Sequence, residues 1–224
     1  MKIRTEDDIL NRLDEILIWR KKELTYIRKS LTHSKSDFEE KINIRISITL
    51  LYAHFEGFIK EASIAYLDFL NNQKIKLRDI EVCFKSLRYY KEINNIIFSK
   101  DNKFNCFIDF IYSIPEYEND IFSISPEKCV STNSNLNSTI FKEINNKLGL
   151  HYDQFILKEK LIDSHLLDKR NKIAHGEYYP ILTRDQTNEL FDEVVFILDN
   201  FKTEIVNSVA SKSYFITHND TQNE

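Results

Sequence analysis

The feature that most constrains this chain is an apolar stripe that runs through residues 37–70 at helical spacing. Inside it, residues 42–50 alternate apolar and polar side chains, as a half-buried strand would. The wider window argues against a strand, because apolar residues continue at spacings of three and four and the lone Gly57 costs a helix only about 1 kcal/mol. We therefore predict one helix of about 30 residues, roughly 45 to 50 Å long, ending near Asn71.

Glycine and proline are scarce in the chain as a whole. The 224 residues contain 3 of each, where average usage predicts roughly 16 and 11. Sheets with tight hairpins need glycine turns, and doubly wound nucleotide folds need clustered glycines at a strand-to-helix turn. With 42% hydrophobic residues available for a core, we predict an all-α bundle of long antiparallel helices.

Three further stretches supply the other helices that we expect to be long. A stripe over residues 8–31 predicts the first helix, and Ser36 followed by Glu39 forms a capping-box pattern at the start of the second. Residues 158–175 predict a helix that ends at Gly176. The last and clearest helix begins at a second capping-box pattern, formed by Thr183 and Gln186.

The middle of the chain is less regular. Residues 73–112 predict several short helices, and residues 113–137, which hold two of the three prolines, predict a loop excursion with at most one short strand. A short helix over residues 139–148 should end at Gly149. Because no repeat or linker divides the chain, we expect one domain over residues 1–209 and a polar tail over residues 210–224.

Within that tail, Tyr214, Phe215 and Ile216 form the one apolar run, and these side chains are available to dock on the domain.

Charge and cysteine content limit the partners and the compartment. The formal net charge is −4, so no global positive field is present to hold a long duplex, and any nucleic-acid binding must come from a local patch. No run of 18 apolar residues is present, and the first residues turn acidic where a signal peptide needs an apolar core. We therefore predict a cytoplasmic protein that does not bind membranes. Cys83, Cys106 and Cys129 lack a close partner in sequence and are expected to be free thiols.

Common catalytic motifs are missing. The chain has no glycine-rich phosphate loop, no G-x-S-x-G elbow and no H-E-x-x-H zinc motif. The six histidines have no metal-ligand spacing to one another or to a cysteine. We expect no metal site and no cofactor.

One cluster stands out, formed by residues 169–176 with the sequence K-R-N-K-I-A-H-G. Helix termination alone could account for it, since cations in a last turn complement the helix dipole by about 0.3 to 1 kcal/mol each and Gly176 is a common helix end. Arg170 and His175 are about 140° apart around an ideal helix. Both can therefore serve one ligand only if the helix unwinds near His175 or if a second subunit completes the site.

These residues carry a family resemblance. R-N-K-I-A-H matches the R-x(4 to 6)-H motif of the HEPN superfamily of helical ribonucleases, with a polar residue after the arginine. Together with residues 52–60 on the long helix and residues 133–137 in the loop, it resembles the bacterial MAE-type HEPN branch. The resemblance spans roughly residues 10 to 205.

This resemblance implies a HEPN-like bundle that forms a homodimer, brings two motifs to one cleft and cuts RNA without metal. His175 would act as the base that activates a ribose 2′-OH, since imidazole ordinarily titrates near neutral pH, and Arg170 would bind the phosphate. The products would be a 2′,3′-cyclic phosphate and a 5′-OH. Asn171 would orient the histidine or the phosphate, or else it is an ordinary exposed amide.

Four further residues are candidates for substrate binding. Lys169 and Lys172 add positive charge to the cluster, and Tyr178 lies where it could stack on a base, unless with Tyr179 it only anchors the loop before Pro180. Glu56 either forms an i,i+4 pair with Lys60, of about 0.3 kcal/mol, or lies against Arg170 and fixes its guanidinium. His54, on another face of the helix, is more simply a packed histidine than a second base.

Two functions from different classes follow. The first is a metal-independent endoribonuclease, as a bacterial toxin or phage-defence effector with an antitoxin or a neighbouring defence protein as a further partner. The second is a non-catalytic HEPN module that dimerises or binds RNA and regulates a partner nuclease. A target for AMP attachment at Tyr178 or Tyr179 is a third, weaker alternative. An intact Arg170 and His175 favour the enzyme.

Overall fold

The structure is a computed structural model that describes residues 2–98, 102–132, 135–177 and 182–216. Within these ranges the regular elements are helices, and the only β-type pairings are two isolated bridges, Lys76 with Ile121 and Ile80 with Phe215. The predicted all-α fold is confirmed. No helix in the described part of the chain is both long enough and apolar enough to cross a membrane.

Eight α-helices follow one another along the described chain, with 3-10 turns at Leu77–Asp79 and Asp153–Lys158 and a π-helical segment at Leu161–Leu167. The helices are α1 (Glu6–Thr32), α2 (Asp37–Asn72), α3 (Val82–Phe98), α4 (Lys103–Tyr117), α5 (Pro126–Cys129), α6 (Ser138–Lys147), α7 (Asp168–Ala174) and α8 (Arg184–Ser211).

The long second helix is a single unbroken element, so the prediction that residues 42–50 are helical is confirmed. Its N-cap is Ser36, whose hydroxyl accepts the Glu39 N–H at 3.2 Å. The Glu39 carboxylate accepts the N–H of Lys35, at 2.8 Å. The start of α2 was therefore predicted correctly. A hydroxyl that accepts an otherwise unpaired N–H stabilises a helix end through local contacts, which do not depend on the tertiary structure.

The core lies where α1, α2 and α8 pack together. Phe141 of α6 joins this core to the rest of the domain, because its ring contacts Phe55, Phe155 and Phe201 at centroid distances of 5.6, 5.0 and 5.7 Å. All four rings are fully buried. Aromatic side chains of this size each remove about 150 to 250 Å² from water, so this cluster fixes α6 against α2 and α8.

The middle of the chain differs from expectation at the end of α4 and at α5, a short helix inside the predicted loop. Helix α4 continues through Pro115 to Tyr117, so the loop predicted from residue 113 begins later. A proline this close to the helix end removes one hydrogen bond of the last turns while its fixed φ stays helical. The short helix α6 ends as predicted, because Gly149 takes a φ of +63° that favours glycine.

The apolar run in the C-terminal tail does dock. Tyr214 is buried, its ring contacts Phe69 at 6.1 Å, and its carbonyl accepts the N–H of Glu81 at 2.9 Å. Phe215 pairs with Ile80 in one of the two bridges. The polar residues that follow, 217–224, lie outside the described residues, as do Asn133 and Ser134 of the predicted loop.

Candidate functional site

Helix α7 is held in place by the helical segment that precedes it. That segment passes through the π-helical residues Leu161–Leu167, where Ile162 and Leu166 are fully buried. Asp163 ties the segment to the start of α6, because its carboxylate accepts the N–H and the hydroxyl of Ser138 at 2.7 and 2.6 Å. A π-helical stretch inside a helix frequently marks a functional site. Here it sets the rotation with which α7 meets α2.

Arg170 projects from α7 onto α2. Its guanidinium lies 4.1 Å from the ring centroid of Tyr52, and its Nη1 donates to the side-chain oxygen of Asn171 at 2.8 Å. Its Nη2 lies 3.7 Å from a carboxylate oxygen of Glu56. Of the two interpretations of Glu56, the geometry therefore matches the one that sets it against Arg170, at ion-pair distance and beyond hydrogen-bond distance. About a fifth of the Arg170 side chain stays exposed.

Tyr52 is the residue beneath Arg170 to which sequence reasoning assigned no role. Its ring is buried, and its hydroxyl oxygen accepts the N–H of Leu136 at 2.6 Å. Burial and the charge of Glu56 raise the pKa of Tyr52 to about 12, so this phenol stays neutral at physiological pH. The available signal was its spacing, since Tyr52 lies one turn before Glu56 and therefore on the same face of α2.

Asn171 links the two residues of the motif. Its side-chain oxygen accepts from Arg170, while its backbone carbonyl accepts the N–H of His175 at 2.9 Å. Its side-chain nitrogen also approaches the side-chain oxygen of Asn135, at 3.4 Å, in the loop before α6. Asn171 is therefore not an isolated exposed amide, since it connects α7 to that loop.

His175 caps the C-terminus of α7 and is exposed. Gly176, with φ of +71°, donates its N–H to Ile173, and the N–H of Glu177 reaches back to Lys172 at 3.0 Å. These two bonds form a Schellman motif, so the predicted glycine end is confirmed. His175 still makes a helical hydrogen bond, so the helix does not unwind before it. On an ideal helix its side chain is about 140° from Arg170.

Several cations surround the end of α7. Lys172 pairs with Asp168 one turn earlier, at 2.8 Å, and Lys169 is half-buried on the same helix. Arg45 of α2 was not singled out from the sequence, yet its Nη1 lies 3.5 Å from the carbonyl oxygen of Glu177. Tyr178, a predicted substrate-binding residue, lies outside the described residues, as do Tyr179 and Pro180.

An open apolar groove lies beside the motif. It is lined by side chains of α2 and by one residue of α7: Arg45, Ile46, Thr49, Leu50 and Ile173. Exposed apolar residues continue from this groove toward the start of α2 at Ile42 and Phe38, which lie one and two turns before Ile46. We call Phe38, Ile42, Ile46, Leu50 and Ile173 the α2 strip.

The described residues contain no group of three or more His, Cys, Asp or Glu side chains placed to hold a metal ion. The three cysteines are free. Burial raises the pKa of the Cys83 thiol to about 11, which leaves it a protonated, unreactive side chain.

Comparisons with known proteins add a family. The model of the family described as RiboL-PSP-HEPN matches residues 15–207. No curated protein and no solved structure gives a significant match. The matched range contains α2, α7 and all the side chains just described around Arg170. Since it also covers most of the 224 residues, the chain belongs to the RiboL-PSP-HEPN family, a branch of the HEPN superfamily.

Proposed function

We propose that this protein is a metal-independent endoribonuclease with Arg170, His175 and Asn171 as its catalytic residues. The proposal rests on the surroundings of Arg170. Three neighbours fix its guanidinium, while about a fifth of the side chain stays exposed. An exposed histidine ends the same helix, in a chain of a HEPN family. A fixed, accessible guanidinium and an accessible imidazole on one helix suit reaction at a phosphate.

The proposed reaction is attack of a ribose 2′-OH on the adjacent phosphorus. His175 takes the proton from the 2′-OH as its oxygen bonds to phosphorus, and Arg170 binds the phosphate oxygens as negative charge builds on them. The bond from phosphorus to the 5′-oxygen breaks, and that oxygen is protonated. The products are a 2′,3′-cyclic phosphate and a 5′-OH. Asn171 holds Arg170 through its side chain and His175 through its backbone carbonyl.

A second copy of the chain completes this proposed site. Protons must be removed at one oxygen and delivered at another, yet one motif supplies one imidazole, which on an ideal helix is about 140° from Arg170. The α2 strip beside the motif exposes apolar side chains that a second copy would remove from water. A two-fold axis there would place two arginines and two histidines at one cleft. It would also double the positive charge of Lys169, Arg170 and Lys172, which a chain of net charge −4 needs in order to bind RNA.

The remaining assignments belong to the same proposal. Lys169, Lys172 and Tyr178 bind the RNA strand, and Glu56 fixes Arg170. The likeness to the MAE-type branch rests on residues 52–60, on residues 133–137 and on the R-x4-H motif. The biological role that fits a small HEPN nuclease is a cytoplasmic bacterial toxin or phage-defence effector, restrained by an antitoxin or a neighbouring defence protein.

Cleavage of total RNA by the purified protein in EDTA tests the chemistry. We expect wild-type cleavage in EDTA, with cyclic-phosphate ends, and none from His175→Ala. His165→Ala is the matched control, because His165 is an exposed histidine ten residues earlier on the same helical segment. A requirement for added Mg²⁺ or Mn²⁺, or full activity in His175→Ala, would refute the proposal. RNA that is bound but never cut would favour the non-catalytic module.

The composite site is tested separately through the α2 strip. Ile46→Asp should reduce the number of copies in the assembly and abolish cleavage together, because it places a charge in the proposed contact. Leu157→Asp, which adds the same charge at a highly exposed leucine elsewhere, should change neither. A chain that cleaves RNA at full specific activity as a monomer would overturn the composite site.

A further inference from the structure

Helix α4 presents an apolar face that the described chain leaves uncovered. None of its described side chains is buried, although the helix is rich in large apolar residues. One open groove along it is lined by Phe104, Phe107, Ile108, Ile111 and Tyr112. These residues are spaced three and four apart, so they form one stripe on the helix. We call them the α4 face.

The α4 face points away from the rest of the domain. Helix α4 contacts α3 through residues on its other side: the rings of Phe110 and Tyr117 lie 5.6 and 6.1 Å from that of Tyr89. Phe110 and Tyr117 are seven residues apart and share one helical face. The amphipathic pattern therefore has two apolar sides, one that packs on α3 and one that remains exposed.

The exposed area is large enough for a specific contact between proteins. Phe104 and Tyr112 are each 77% exposed and Phe107 is 45% exposed. With about 200 Å² for a whole aromatic side chain, the three rings present roughly 400 Å² on one copy. The two isoleucines add to this. Two such faces in full contact would bury about 1,000 Å², which is close to the lower limit for a specific protein interface.

The charges around the α4 face favour a protein over a lipid surface. The charged residues of α4 are Lys103, Asp109 and Glu116, which give no basic rim for anionic lipids. The polar residues 217–224 of this chain contain no large apolar side chain that could fill the groove. The five side chains of the α4 face carry no charge at all, so the same face can meet itself without repulsion.

We propose that the α4 face is a two-fold interface with a second copy of this chain, formed by α4 packing against α4. This contact is separate from the α2 strip, since no residue belongs to both. Each interface alone yields a dimer. Where both form, the smallest closed assembly contains four copies, joined by two α4 contacts and two α2 contacts, with each copy taking part in one of each.

The test is the mass of the full chain in solution, measured by light scattering over a range of concentrations. Ile108→Lys should halve the mass, because it places an ammonium group in the centre of the apolar contact. Asp109→Lys adds the same side chain one position along, on the side of α4 that the groove does not use, and should leave the mass unchanged. Circular dichroism should show equal helix content in both variants.

Combining the variants separates this interface from the proposed active site. Ile108→Lys together with Ile46→Asp should give a monomer, while Ile108→Lys alone should keep wild-type RNA cleavage per chain. A wild-type mass in Ile108→Lys, or a wild-type protein that is monomeric, would overturn the α4 interface. The cleavage of Ile46→Asp bears only on the composite site, and the mass of Ile108→Lys bears only on the α4 interface, so these two measurements distinguish the proposals.

Discussion

Two arginines each contact an aromatic ring and a glutamate of α2, and they differ in what surrounds them. Arg20 of α1 lies 4.4 Å from the ring centroid of Trp19, its neighbour on α1, and Arg170 of α7 lies 4.1 Å from that of Tyr52 on α2. Each also faces a glutamate of α2, at 3.0 Å for Glu61 and 3.7 Å for Glu56. Arg20 is 3% exposed, whereas Arg170 is 21% exposed.

The difference shows which feature indicates function. Arg20 donates to the carbonyl of Ile16 at 2.7 Å and lies so close to α2 that a Cβ at Gly57 would come within 3.1 Å of its Nη2. No substrate could reach that guanidinium. Stacking and pairing with a carboxylate are therefore compatible with a purely structural role. What distinguishes Arg170 is its remaining exposure and the exposed His175 at the end of the same helix.

The largest expected effect is on cleavage at the exposed arginine. Arg170→Ala and His175→Ala should each lower kcat/KM for RNA by at least about 100-fold, the usual contribution of a general base or a charge-stabilising donor. The free energy of unfolding should fall by no more than about 1 kcal/mol, since neither side chain is in the core. RNA cleavage assays and urea unfolding measure the two quantities. If Arg170→Ala lost stability but kept its activity, Arg170 would have the same structural role as Arg20.

The second-largest effect is expected at the buried Arg20, where the substitution should lower stability and not catalysis. Arg20→Ala should lower the free energy of unfolding by about 2 to 3 kcal/mol, because it leaves a cavity between α1 and α2 and removes buried hydrogen bonds. Glu61 is 43% exposed and can be hydrated again, so no stranded charge adds to this cost. The control is Arg12→Ala, at an exposed neighbour, with a change below about 0.5 kcal/mol. An equal loss of unfolding free energy in Arg20→Ala and Arg12→Ala would show that burial of the arginine does not determine the size of the loss.

A smaller effect should separate the two aromatic partners. Tyr52→Leu removes the ring beneath Arg170 and should lower cleavage about tenfold, given about 1 to 2 kcal/mol for a partly desolvated cation–π contact. Tyr52→Phe keeps the ring and the activity, but costs about 1 to 2 kcal/mol of stability because the N–H of Leu136 loses its acceptor. Trp19→Leu, the equivalent change beside Arg20, should leave kcat unchanged. A drop in kcat for Trp19→Leu would mean that the two clusters are coupled.

The smallest expected effect is a pH dependence of stability that comes from His54, a histidine close enough to Arg20 to be affected by its charge. Burial, together with the charge of Arg20, lowers the pKa of His54, against the opposing charge of Glu23. The unfolded chain therefore binds the proton more readily, and stability should fall as the pH drops through the usual histidine value of about 6.5. Unfolding in urea between pH 8 and pH 5 should show a shallower fall for His54→Gln and a steeper one for Glu23→Gln. Identical pH profiles in all three proteins would contradict this.

The sequence by itself determined the long helices α1, α2 and α8, several helix ends and the position of the motif. It did not determine the end of α4, or the π-helical stretch Leu161–Leu167 inside the helix predicted over residues 158–175. The α2 helix, the N-caps at Ser36 and Thr183, and the ends at Gly149 and Gly176 could all be predicted. Each depends on interactions within one or two turns: the apolar period, a hydroxyl that accepts a free N–H, or a glycine at positive φ. Glu56 could be proposed as a partner of Arg170, but spacing alone also allowed a local pair with Lys60.

Only the tertiary structure decided what surrounds the motif. Tyr52 lies under Arg170 across 118 positions of sequence, Arg45 reaches Glu177, and Arg20 is buried although its neighbour Lys21 is half-exposed. Each of these depends on how far one helix is rotated about its axis against another, and a rotation of one residue is about 100°. Local patterns do not fix that angle. It is set by the buried rings of the core and, at α7, by the π-helical turn of Leu161–Leu167 that places Arg170 on the face of α2.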